Sequence, residues 1–274
     1  MRTEIYNLNE LDGKHIDFKS SELVNNALII LFDNEINLVE ITHKCNRKIN
    51  NELYLQSREE TWNNLKQEYS NKLWNGIVYT IESLRFKKQK LIIEMGICEY
   101  KDIILKNKLG FKNIKAKFGN DAIAIHTFTA GMPVTRDGDL ALGIVGEGTY
   151  QAPGEADFIG GTLNVDSLQI ININDIKKFT AQEFEEELGL DIPYCDFRLF
   201  SLNYYNGCCF FLFKLIIQDR NVFLSFKENK EIKDILWVPF EKLNICSPVT
   251  NDVRFFMENF QRIKDKCHVY NTKL

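Results

Sequence analysis

The sequence predicts a fold of the α+β or layered α/β class. Three observations carry that reading. Strand-like apolar runs stand on both sides of a well-marked helix at 175–190. Apolar residues make up 45% of the chain and charged residues 26%, ordinary globular usage for 274 residues, enough for one large or two small domains. No repeat recurs at solenoid spacing. A polar segment, KNIKAKFGND at 112–121, reads as a linker. It divides the chain into a smaller β-rich unit, 1–118, and a second unit, 119–274.

ALIILF (27–32) and the partly alternating INLVEIT (36–42) read as strands, with Asp33-Asn34-Glu35 joining them as a hairpin. Ser57 and Glu60 have capping-box spacing, so a helix is expected over 57–74, with Trp62, Leu65 and Tyr69 on one face. GIVYTIESLRF (76–86) and KLIIEMGI (90–97) read as strands around the basic turn Lys87-Lys88-Gln89. YKDIILKNKLGF (100–111) reads as a helix capped near Gly110. Beyond 121, DAIAIHTFTAG and LALGIVG flank an Asp137-Gly138 hairpin signal. A loop at 149–163 ends in Gly160-Gly161, and the helix at 175–190 closes at Gly189. Strands at 197–205 and 208–217 flank Asn206-Gly207, and another runs over 235–240. A last helix, 253–263, carries an apolar stripe at 255, 256, 260 and 263.

The net charge of −4 gives no reason to expect nucleic acid or an anionic membrane as partner. The first residues lack the apolar core of a secretory signal, and the densest apolar run, 208–217, is too short to span a bilayer. Seven cysteines without a CxxC pair argue against a disulfide framework or a zinc site. A cytoplasmic location is the expectation.

The chemistry is concentrated in AQEFEEELGL, 181–190. Glu183, Glu186 and Glu187 stand at i, i+3 and i+4, so their carboxylates share one helix face. Phe184 and Leu188 form an adjacent apolar face, and Glu185 points elsewhere. Like charges at this spacing repel by a few tenths of a kcal/mol. They also sit in the last turns, where the helix dipole disfavours anions. A hard divalent cation offsets both penalties, and such cations bridge carboxylates to phosphates. The residues therefore point to an Mg²⁺ or Mn²⁺ site acting on a phosphorylated small molecule. Read without that pattern, the same run is a solvated acidic face.

QEFEEELGL, with Gly160-Gly161 upstream, resembles the Nudix box, whose usual form is Arg-Glu-apolar-x-Glu-Glu-x-Gly-apolar. The resemblance covers roughly the last 150 residues. It implies a Nudix fold, a mixed β-sheet sandwiched between helices. Gln182 stands where the box has Arg. Gly161 to Glu183 spans 22 residues, an insertion of about seven relative to the box, with Asp166 and Asp175 its only acids. LWNGIVYTIESL (73–84), LIIEMGICEYKD (91–102) and YQAPGEADFIGG (150–161) are similar to a divergent Nudix subfamily that hydrolyses UDP-glucose and UDP-galactose. That similarity implies Mg²⁺-dependent cleavage of the diphosphate to UMP and a sugar 1-phosphate.

By the same resemblance Glu183, Glu186 and Glu187 bind metal, and Glu186, with Glu183, helps activate water. The Gly160 carbonyl is a further ligand, and Gly161 lets the backbone approach closely. Tyr150, Phe158 and Tyr204 are candidates to stack on the base. Other substrates, such as ADP-ribose or a dinucleotide, remain open, as does a non-catalytic nucleotide sensor. The first unit is left with three roles: shaping the pocket, forming a homodimer, or binding a partner. His126 reads as a structural residue of its strand, and Cys208-Cys209 as packing beside Phe210 and Phe211.

Overall fold

The computed structural model describes residues 2–20, 26–32, 39–44, 49–69, 73–88, 90–149, 151–240, 242 and 248–269. The fold is mixed α+β. Its strands are β1 (Arg2–Asn7), β2 (His15–Asp17), β3 (Asn26–Leu31), β4 (Val39–His43), β5 (Ile77–Lys87), β6 (Lys90–Glu99), β7 (His126–Thr135), β8 (Asp139–Val145), β9 (Ala156–Asp157), β10 (Arg198–Tyr205), β11 (Cys208–Ile217) and β12 (Ile232–Pro239). Its helices are α1 (Glu52–Tyr69), α2 (Tyr100–Leu109), α3 (Phe111–Phe118), α4 (Ile173–Leu188) and α5 (Asn251–Val269). No described helix is long and apolar enough to cross a membrane.

One sheet runs β1-β3-β10-β11-β7-β5-β6-β4, with β8, β9, β12 and β2 joined off that path. Its centre reads as continuous apolar sequence because both faces are covered. On β3, Leu28 and Ile30 pack towards α4, while Ala27, Ile29 and Leu31 pack towards α5. β11 divides likewise, with Phe211 and Phe213 on one side and Phe210 and Leu212 on the other. Ile176, Phe179 and Phe184 of α4 cover one face; Val253, Phe256 and Ile263 of α5 cover the other.

Three expectations are corrected. The strands at 27–32 and 36–42 do not form a hairpin: β3 pairs with β1 and β10, and β4 pairs in parallel with β6. Their joining residues, 33–35, lie outside the described residues, as does Gln89. Helix α1 starts before Ser57; Asn51 is its cap, accepting from the Tyr54 amide at 3.0 Å. The expected linker at 112–121 is instead α3 and a 3₁₀ turn, with Ile114 and Phe118 buried in the core. Strand pairing crosses position 118/119: β3 lies against β10, and Thr80 of β5 pairs with His126 of β7.

Several signals hold. Lys88 and Asn206-Gly207 take positive φ in two tight turns. β5 and β6 pair antiparallel, and β10 and β11 do the same. Gly110 and Gly189 cap α2 and α4.

Candidate active site

Helix α4 is marked at both ends. The Asn172 side chain accepts from the Asn174 amide at 2.8 Å, and Asp175 accepts from the amides of Ile171 and Asn172 at 3.0 and 3.1 Å. Burial alone would raise the Asp175 carboxyl, but these bonds and Lys178 hold it below its ordinary value. Asp175 is thus a cap. At the other end Gly189 takes φ 68° and ψ 25°, the left-handed conformation that ends a helix. Phe184 lies over β7 at Gly131, where a Cβ would come within 2.3 Å of its ring, and meets Phe197 edge-on at 5.0 Å. Thr180 and Thr129 share a buried hydroxyl contact at 2.6 Å. These contacts fix the rotation of α4, which turns Glu183, Glu186 and Glu187 into a cleft of about 1110 Å³.

Gly160 and Gly161 form the facing wall. A Cβ at Gly160 would lie 2.2 Å from the Thr129 carbonyl, and one at Gly161 would lie 2.4 Å from a Glu183 oxygen. At Gly160 the obstacle is backbone and only glycine admits the approach; at Gly161 it is the end of the Glu183 side chain. The Gly160 amide donates to the Glu187 carboxylate, a role additional to the one expected of its carbonyl. The segment between the glycines and α4 is pinned to the first half of the chain. Tyr79 bonds the Leu168 carbonyl and the Ile170 amide, and His43 bonds the Ile170 carbonyl.

The electrostatics are those of crowded, poorly hydrated acids. Burial, then Glu186 and Glu231, pushes the Glu183 carboxyl up to about 8. Glu187 is 8% exposed and is raised well above its ordinary value by burial, then by Glu183, Glu231 and Asp157. One of its oxygens, Oε2, is buried without a hydrogen-bond partner. Asp157 is raised too, by burial and then by Asp252, although Thr250 and the Phe158 amide bond it at 2.7 and 2.8 Å. Glu186 is exposed, and Gln182 is exposed beside it. Among the described residues no group of three or more His, Cys, Asp or Glu is gathered tightly enough to hold a metal ion. The all-oxygen set and the unpartnered Glu187 oxygen nonetheless suit a hard cation.

The three glutamates and both glycines thus share one cleft. Tyr150 lies outside the described residues. Phe158 reaches the cleft wall but is packed edge-on against Phe256. Tyr204 does not face the cleft: it is buried against Phe18, and Tyr205, the next residue along the strand, lines the cleft instead. His126 is both strand residue and cleft lining, bonded through Nε2 to Thr162 at 2.9 Å. Asp157 and Trp74, which fall in the segments quoted above, also line the cleft, as do Glu231, Asp252 and Lys106, which no local spacing marked.

The chain matches no family model and no curated protein. Among solved structures it is similar to the MutT protein from Methanosarcina mazei Go1, at 19% identity and a TM-score of 0.38, over 50% of this chain and 93% of that one. It is also similar to a NUDIX family hydrolase from Clostridium perfringens, at 11% identity and a TM-score of 0.35, over 50% of this chain and 96% of that one. Likeness at these scores carries no functional weight; the chemistry rests on the side chains.

Proposed function

We propose that the protein is a divalent-metal-dependent hydrolase of a nucleoside diphosphate derivative, most specifically UDP-glucose or UDP-galactose, giving UMP and a sugar 1-phosphate. One observation carries the proposal: Glu183, Glu186 and Glu187 enter a single cleft from α4, against a closely approaching glycine pair. Glu183 and Glu187 are crowded acids that a cation relieves, and Glu187 keeps an oxygen without a hydrogen-bond partner. These three glutamates would hold Mg²⁺ or Mn²⁺. Such an ion neutralises diphosphate charge and lowers the pKa of an attacking water. Exposed Glu186 is the group with access to that water, and Asn229 steadies the end of α4 by donating to the Glu187 carbonyl at 2.6 Å.

A second reading, a nucleotide sensor without turnover, is favoured by Gln182 and by the absence of a gathered ligand group among the described residues. The purified chain incubated with UDP-glucose, UDP-galactose and ADP-ribose, in Mg²⁺ and in EDTA, separates the readings by product mass. Metal-dependent UMP is the expected result. Cleavage of ADP-ribose alone would sink the UDP-sugar assignment, and no cleavage with either metal would leave the sensor. Glu186→Gln is expected to abolish turnover while the chain stays folded; wild-type rates in that variant would misplace the site.

A further inference from the structure

Lys106 on α2 is 1% exposed yet lines the same cleft as the acidic face of α4. Its ammonium donates to the Gly207 carbonyl at 2.9 Å and meets Cys208 Sγ at 3.7 Å. An ammonium has three hydrogens to give. Among the described residues the third has no partner, and no carboxylate forms an ion pair with Lys106. A buried ammonium with a donor to spare is costly, and an incoming anion lowers the cost. The nearby acid is Asp252, which is already engaged by the Tyr205 hydroxyl. The other cations lining the cleft, Lys230 and Arg254, are exposed.

The position of Lys106 relative to α4 can be traced contact by contact. The Glu183 carboxylate lies against Gly161. Thr162 follows and bonds His126, which pairs in register with Cys208, whose sulfur meets Lys106. Adjacent strands stand about 4.8 Å apart. The floor therefore runs from a negative wall to a buried positive charge across two neighbouring strands. His126 between them is held neutral, its pKa pushed down to about 3 by burial and then by Lys106.

We propose that Lys106 is a phosphate-binding residue of the cleft, its unpartnered N–H and its charge taking a non-bridging phosphoryl oxygen on the side remote from α4. The assignment rests on the diphosphate reading above. It also makes a claim that can be read without turnover.

The test is calorimetric titration of the full chain with inorganic pyrophosphate in EDTA, for wild type, Lys106→Met and Lys106→Arg. Wild type is expected to bind, Lys106→Met to bind about tenfold more weakly or worse, and Lys106→Arg to recover most of the affinity. Without anion, Lys106→Met is expected to melt close to wild type, because an apolar group replaces a buried charge and the nearby acid, Asp252, keeps the Tyr205 hydroxyl as its partner. Three outcomes of the titration overturn the proposal: no binding by wild type, equal binding by Lys106→Met, or loss of binding in Lys106→Arg as complete as in Lys106→Met. A Lys106→Met variant that melts far below wild type yet binds as well marks a structural lysine. Lys106-dependent binding with no hydrolysis of any diphosphate would sink the enzymatic reading alone. Metal-dependent hydrolysis with an unchanged KM in Lys106→Met would sink this proposal alone.

Discussion

At the scale of the residue, Glu183 and Glu187 link the cleft to pH. Both carboxyls are raised in the folded chain above the ordinary 4.5. The native state then holds protons that the unfolded chain has released. Their contribution to stability is complete below about 4.5 and is lost as pH rises, through about 8 for Glu183. In EDTA the melting temperature is therefore expected to fall between pH 5 and pH 9, and Glu187→Gln should flatten that fall. A melting temperature that climbs over the same window would contradict the buried-acid description. The two glycines separate a packing cost from a chemical one. Gly160→Ala drives a methyl into the Thr129 carbonyl and should cost about 1–3 kcal/mol in denaturant unfolding. Gly161→Ala meets the end of a side chain, the Glu183 carboxylate. It should lower turnover far more than it lowers the unfolding midpoint.

At the scale of the element, α4 has strong boundaries. Asn172→Ala and Gly189→Ala should each cost about 1 kcal/mol, read as parallel shifts in urea midpoint with an unchanged slope. Helix α4 was also the most legible part of the sequence: an acidic face, an apolar face and a terminal glycine marked it, although its cap, Asn172, did not stand out. Elsewhere a local signal lost to a stronger neighbour. Ser57 and Glu60 have capping spacing, but Asn51 caps the chain first and the helix is already running when it reaches them. The lysines of 112–117 hid Ile114 and Phe118, which stand four apart and bury one face of α3. The strands at 27–32 and 36–42 were recognisable as strands. Their partners were not, because an apolar run buried on both sides carries no mark of which neighbour it will find.

At the scale of the whole molecule, the cleft is assembled from distant segments. The glutamates and the glycine pair were legible because they share a short, spaced motif. Lys106, Asp252 and Tyr205 come from α2, α5 and β10, and only the folded sheet brings them together. The sheet itself joins both halves of the chain. Cutting at 118/119 would strip β3 from β10 and β5 from β7. The fragment 119–274 is expected to show no cooperative thermal transition by circular dichroism. A sharp transition in that fragment would support a division into two independent units.

The place of β3 also bears on how the chain is made. Leu28 pairs with Tyr204, 176 residues later in synthesis. At ribosomal rates of 5–20 residues per second, that partner emerges roughly 9–35 s after β3 does. Contacts this remote in sequence slow folding. For that interval Ala27–Leu31, which ends up buried, has no strand from the later half to pair with. A nascent chain of this kind needs its exposed strand shielded, and its soluble yield on expression should rise as the supply of holding chaperone is increased.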